Sequence, residues 1–194
     1  MHMAKANVKE QILTTSVNLL HSKGFNATSV QDITDAAGVP KGSFYNHFTS
    51  KEALGMEVLQ RYIAAVGDIA AVLQDRTLAP KARLQQFFDG MIAGNAANDF
   101  HSGCLLGNFS TELSNQIPAM RSTMQQALAG SGEMLAAVIA EGQQDGSIGN
   151  RAPAAELAAF INDAWQGSVL HAKTEQNQAP LDRFTRIVLS NILA

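Results

Sequence analysis

The hexapeptide Asp35-Ala36-Ala37-Gly38-Val39-Pro40 limits what this chain can fold into more than any other segment. Ahead of it, Val30, Ile33 and Ala37 recur at i, i+3 and i+7, the interval of one helix face, with Thr28 or Ser29 at the cap position. Behind it, Pro40 stands where a second helix starts, a place that suits its missing N–H. Phe44 and Phe48 follow one turn apart. Gly38 breaks the first helix, and Ala37 and Gly38 are small where two helices cross closely. Ile33, Val39 and Phe44 would seal the angle between them. Two short helices joined by a glycine-centred turn read as a helix-turn-helix. The second helix exposes Lys41, Gly42, Ser43, Tyr45, Asn46 and His47, short or flat polar groups that reach phosphates or base edges. The competing reading is a surface helical hairpin with ordinary polar residues.

The rest of the chain also reads as helix. No stretch alternates polar and apolar residues with β-branched enrichment, so no sheet is expected. A stripe of Val8, Ile12, Leu13, Val17 and Leu20 ends at Gly24, and Ser50 caps a long helix carrying Leu54, Val58, Ile63 and Val66 toward Leu73. Pro80, Gly103, Pro118, Pro153 and Pro180 introduce five further helices, the last with Leu181, Phe184, Val188 and Ile192 on one side. The expectation is all-α, about nine helices, with no fixed-period repeat. A 46% hydrophobic composition excludes wholesale disorder. No apolar run approaches the roughly 18 residues of a membrane span. The N-terminus shows no secretory core, and Met1-His2-Met3 has the look of a cloning remnant. One cysteine, Cys104, excludes an intramolecular disulfide framework and a multi-cysteine zinc site, and fits a cytoplasmic location.

Charge divides unevenly. Residues 1–51 hold five lysines, Lys5 among them, against Glu10, Asp32 and Asp35, a net +2. Residues 52–194 hold nine Lys/Arg against fourteen Asp/Glu, a net −5. A mildly basic head on an acidic body directs an anionic partner to the head.

The segments Thr28-Ser29-Val30, Ile33, Ala37 through Phe48, and Ser50-Lys51-Glu52-Ala53-Leu54 closely resemble the DNA-binding head of TetR-family transcriptional repressors. The resemblance covers about residues 7–55. It implies an all-helical homodimer: a three-helix helix-turn-helix head, residues 1–50, and a C-terminal ligand-binding and dimerisation bundle, residues 51–194, with 51–73 as the connecting helix. It assigns Thr28, Tyr45 and Lys51 to phosphate contacts, and Ser29 adjoins Thr28 at the same helix start. Lys41, Gly42, Ser43 and Asn46 would face the groove of a double-stranded, palindromic operator. His47 either lies at the groove's edge or hydrogen-bonds within the head. A helix start favours phosphate, and Gly42 removes a side chain where backbone approaches DNA.

In the body, residues 104–113 on a helical wheel of about 100° per residue set Leu105, Leu106, Phe109 and Leu113 between about 100° and 200° from Cys104. Asn108 and Thr111 fall nearer Cys104, so these three form a small polar stripe away from the main apolar side. It meets solvent or lines a polar cavity. Placement at a helix start favours the thiolate, although a cysteine also serves as a small packing residue. His101 through Phe109, with Trp165-Gln166-Gly167-Ser168 and Lys173, resemble the TetR branch containing the N-ethylmaleimide-reductase repressor and acrylate-responsive regulators. That branch senses electrophiles, oxidants or small unsaturated acids. The resemblance makes Cys104, Asn108, Thr111, Trp165 and Lys173 candidate effector or sensing residues. Lys173 either points to water or reaches Cys104, and Trp165 either packs or forms a ligand platform. Ala164, Ser168 and Ala172, with Phe184, Ile187, Val188 and Ile192, would form a four-helix dimer interface.

The reading is a repressor released from DNA by a small-molecule effector. The alternatives are a Cys104-dependent enzyme, with His101 one turn away, and a non-regulatory architectural DNA binder. Five histidines are scattered at 2, 21, 47, 101 and 171. No His-Glu-x-x-His motif, glycine-rich phosphate loop or nucleophile elbow is present. No catalytic residue, metal or cofactor is therefore expected.

Overall fold

The computed structural model describes residues 7–194. Met1-His2-Met3 and the Lys5 charge of the basic head lie outside the described residues. Within them run nine α-helices: α1 Val8–Lys23, α2 Val30–Ala36, α3 Lys41–Tyr45, α4 Lys51–Ala70, α5 Pro80–Ala96, α6 Leu105–Leu113, α7 Pro118–Asp145, α8 Ala154–Glu175 and α9 Ala179–Ile187. No strand occurs among the described residues. A 3₁₀ turn, Ala71–Gln74, continues α4. The last helix departs from the expected single run to Ile192, because its final residues Val188–Ile192 widen into a π turn.

Local chemistry sets the helix ends. Ser29, not Thr28, caps α2: its hydroxyl accepts from the Asp32 N–H at 3.0 Å while Asp32 accepts from the Ser29 N–H at 2.7 Å, a reciprocal capping box. Ser50 caps α4 through the Ala53 N–H at 3.2 Å. Prolines open α5 and α7, where the absent N–H leaves no helical bond unmade. Gly38 turns the chain between α2 and α3 at φ +64°, a left-handed geometry that a side chain disfavours.

One buried cluster runs through head and body. Ile12, Leu20, Phe25, Ile33, Phe44 and Leu54 fill the head; Leu84, Phe88, Phe109, Leu113, Leu135, Ile161 and Trp165 fill the body. α7 packs along α8, and α8 along α9.

The face foreseen for dimerisation is partly spent inside the subunit. Ala172, Phe184 and Val188 are buried among the chain's own helices. The large apolar side chains left facing outward there are Phe160, Leu170 and Ile187, at 55%, 64% and 39% exposure. α8 packs on α9 within the subunit, with Trp165 against Phe184, so part of the expected apolar surface serves an inner crossing.

Head and body are joined by polar contacts centred on the turn between α1 and α2. From α6, the Glu112 carboxylate accepts from the Phe25 N–H at 3.3 Å and the Asn26 N–H at 2.7 Å. From α4, the Lys51 ammonium donates to the Phe25 and Thr28 carbonyls, both at 3.0 Å, and sits 4.3 Å over the Phe25 ring. Asn108 donates to the His21 carbonyl at 3.1 Å and to the Ser102 carbonyl at 3.0 Å. The His21 ring bonds the Gly103 carbonyl at 2.9 Å, which places the proton on Nε2. Gly55 lets α4 approach closely: a Cβ there would stand 2.6 Å from the Phe25 ring.

Candidate functional site

The α3 surface is built by contrast. Phe44 is fully buried and anchors the short helix, while its neighbours Lys41, Gly42, Tyr45, Asn46 and His47 are exposed and Ser43 is half-buried. The Tyr45 ring, 58% exposed, leans edge-on against Phe44 with centroids 5.2 Å apart, so its hydroxyl stands proud on a fixed base. Apart from its chain neighbours and its own helix backbone, no atom of the described residues lies within 4 Å of where a Gly42 Cβ would stand. The fold itself therefore does not require glycine there. This exposed face, on a helix held at its back by one buried ring, has the shape and donors of a groove-reading surface.

Thr28 and Lys51, two of the residues expected at phosphates, and Ser29 beside them are engaged elsewhere. The Thr28 side chain is buried and its hydroxyl donates to the Gly24 carbonyl at 2.7 Å. Ser29 is exposed, but its hydroxyl serves the capping box, and Asp32 beside it is held down to about 2 by the Ser29 hydrogen bonds and by Lys23. Lys51 faces inward onto the two carbonyls already described.

The five candidate body residues divide between two adjacent cavities. The larger, about 450 Å³, lies among α4, α5, α6, α7 and α8, and its wall includes Tyr62, Phe88, Met91, Leu106, Met134 and Trp165. The second, about 330 Å³, lies between α6 and α8, with Asn108, Thr111 and Lys173 in its wall. Cys104 and Gln166 belong to both walls and form the partition.

Cys104 lies on the polar stripe foreseen for it, and with Asn108 and Thr111 it lines the second cavity. It is the cap residue of α6 and only 8% exposed, whereas Thr111 on the same side is exposed to solvent. The polar stripe runs from buried to open because α8 covers only its first turn. The Cys104 sulfur accepts from Tyr62 Oη at 3.6 Å and Gln166 Nε2 at 3.5 Å. Burial, and then the neighbouring sulfur, hold the Tyr62 phenol well above its ordinary value, so its O–H remains a donor. Lys173 neither points wholly to water nor bonds the sulfur: its half-buried stem lies against Gly103. His101 is exposed and turns its Nδ1 to the Asn98 carbonyl at 3.2 Å, away from a dyad with Cys104. Trp165 packs with Phe88 and Phe184 at 5.5 and 5.3 Å while also lining the larger cavity.

Tyr62 and Glu112 were not foreseen from sequence. Tyr62 lies one turn before Val66, on the stripe that faces the body. Glu112 falls at about 80° on the wheel, at the edge of the apolar sector. It is the one charged residue of α6, a detectable irregularity.

A helix-turn-helix head carried on a larger helical body with an apolar cavity defines the class of helix-turn-helix DNA-binding regulators. Residues 12–58 match the family described as bacterial regulatory proteins, tetR family, and residues 80–188 match the Tetracyclin repressor-like, C-terminal domain. The chain is 38% identical over 192 residues to the HTH-type transcriptional repressor DhaR of Mycobacterium sp. (strain GP1), covering 98% of this chain and 95% of that protein. It is 32% identical to the transcriptional regulator AcuR of Cereibacter sphaeroides, over 91% of this chain and 81% of that one. The crystal structure of reduced Escherichia coli NemR superposes with a TM-score of 0.81 at 28% identity, covering 97% of each chain. The chain belongs to the TetR family of transcriptional regulators. AcuR and NemR are members of the branch that the residues around Cys104 resemble. Family membership sets aside the enzyme reading. Among the described residues, no helix is long and apolar enough to cross a membrane.

Proposed function

We propose that this protein is a cytoplasmic repressor that binds a palindromic DNA operator as a homodimer and is released when a small molecule occupies the larger body cavity. Residues 1–50 bind DNA, residues 51–194 bind ligand and dimerise, and α4 joins them. Lys41, Gly42, Ser43, Tyr45, Asn46 and His47 meet the major groove and its edges. Thr28, Ser29 and Lys51 act at the phosphates through the helix starts that they shape. Phe160, Leu170 and Ile187 meet their equivalents on the second subunit.

The observation that carries this reading is α6. One nine-residue helix has Cys104 at its first end, in the wall of the cavity, and Glu112 at its other end, on the backbone of the head. A ligand that shifts α6 changes how the head is held. Release requires only that the ligand prefer the arrangement that does not fit DNA.

The test is binding of the purified protein to the DNA flanking its own gene. Expected is a protected short palindrome, with affinity far above that for random duplex and falling steeply with salt. Equal affinity for both duplexes overturns the reading.

The two donors on the Cys104 sulfur favour a second mode, covalent capture of an electrophile. The S–C bond forms as the thiol proton passes to the carbon next to the activating carbonyl. Cys104→Ser should keep operator affinity and lose release by N-ethylmaleimide. Undiminished release in that variant overturns the covalent mode alone.

A further inference from the structure

Among the described residues, the wall of the larger cavity contains no lysine, arginine or histidine. Its ionisable members are Tyr62, Cys104 and Glu133, and Tyr62 stays a neutral phenol. Glu133 is exposed and brings negative charge to the mouth. Three basic residues of the same region stand outside that wall. Lys173 stands in the second cavity, beyond the Cys104–Gln166 partition. His21 sits behind Tyr62, edge-on to its ring at 5.3 Å, and burial lowers its affinity for a proton. Arg83 is buried against the Leu73 carbonyl and Glu141.

An anion entering this space would lose its water and meet no counter-charge, which apolar contact cannot offset. Aromatic and thioether walls with a few polar groups (Gln126, Ser131, Asn162, Gln166) instead suit an uncharged molecule with one or two hydrogen-bonding atoms. About 450 Å³ lies within the range of small-molecule sites.

We infer that the ligand of this cavity is a small, uncharged, apolar molecule and that carboxylates are rejected. The inference rests on the reading of the cavity as the effector site, and it separates this protein from any regulator answering to an unsaturated acid. The charged end of such an acid has no partner here, whereas its aldehyde, alcohol or hydrocarbon counterpart needs none.

Trp165 is the chain's single tryptophan and stands in the cavity wall, so its emission reports occupancy directly. The experiment titrates the full-length protein with size-matched neutral and anionic probes: benzaldehyde against benzoate, and 1-hexanol against hexanoate. Expected is a response of Trp165 emission to each neutral probe, at least tenfold tighter than to its carboxylate. Ser131→Lys, which puts a cation in the wall, should narrow or reverse that preference. Carboxylates binding as tightly as the neutral probes overturn the inference. Neutral probes without effect at their solubility limit overturn it as well. Neutral probes that shift Trp165 emission without releasing operator DNA support the ligand class and refute the effector-site reading, so the two failures are distinct.

Discussion

Lys51 shows how one residue type can satisfy two readings. Its position at a helix start suits a phosphate, yet its ammonium already holds the Phe25 and Thr28 carbonyls. Lys51→Ala should therefore lower unfolding stability by roughly 1.5–3 kcal/mol, the scale of hydrogen bonds from a charged group, as measured by denaturant midpoint. A phosphate contact would in addition shallow the salt slope of DNA binding by about 0.9; an unchanged slope would leave only the structural role. Asn46→Ala should behave oppositely, changing stability by less than about 0.5 kcal/mol while weakening operator binding by roughly 1–3 kcal/mol. The exposed α3 residues were legible in sequence because polar groups beside a buried phenylalanine leave little choice of orientation. The destinations of Lys51 and Lys173 were not, because each depends on a neighbour distant in the chain, and Thr28 turned to Gly24, four residues back, when a cap was the expected use. His21 is a further example. Burial, and then Lys173, lower its proton affinity from the ordinary 6.5, against the Gly103 hydrogen bond that raises it. Its contribution to stability is complete above pH 6.5 and is lost as pH falls from there through the lower folded value. Melting temperature should therefore fall on acidification from pH 7.5 to 5, and His21→Gln should flatten part of that fall.

At the scale of single elements, α6 and α4 matter most. Glu112→Ala removes the α6 grip on the head turn. Operator affinity without effector should change modestly, whereas the effector concentration for half-release should rise by roughly fivefold or more, as measured by fluorescence anisotropy. Glu112→Gln, which keeps one acceptor oxygen, should fall between the two. A response unchanged in both variants would remove Glu112 from the coupling. On α4, Gly55→Val should destabilise by about 1–3 kcal/mol in thermal unfolding, because the new methyls meet the Phe25 ring. Helix existence, start points and most apolar stripes were legible, since caps and prolines are local. The end of α9 was not, because the π turn follows from how its last residues pack. The helical wheel set Cys104 at a helix start beside Asn108 and Thr111, which together line the second cavity; that the residue also enters the wall of the larger cavity depends on α4, α7 and α8 and was not legible.

At the scale of the whole molecule, the outward apolar side chains of α8 and α9 predict the assembly. Leu170→Glu and Phe160→Glu should each yield a folded monomer by light scattering, with operator affinity lowered roughly a hundredfold or more through loss of the second half-site. A dimer that survives both changes would place the interface elsewhere. The division into a basic head and an acidic body was legible from charge and motif. The partition of the body into two cavities was not, since it depends on Cys104 and Gln166 meeting from helices 62 positions apart. The junction between head and body has one more property. Glu112 and Lys51 hold the turn after α1 mainly by its peptide groups, and the one side chain of it that they and α6 engage is the buried Phe25 ring; Asn26 and Ala27 stand exposed with their identities unread. A body that recognises the path of a chain and a single ring on it can accept another head that supplies both. Chimaeras that keep the geometry around Gly24 should couple foreign operator specificity to this protein's cavity, so that recognition and response can be recombined as separate modules.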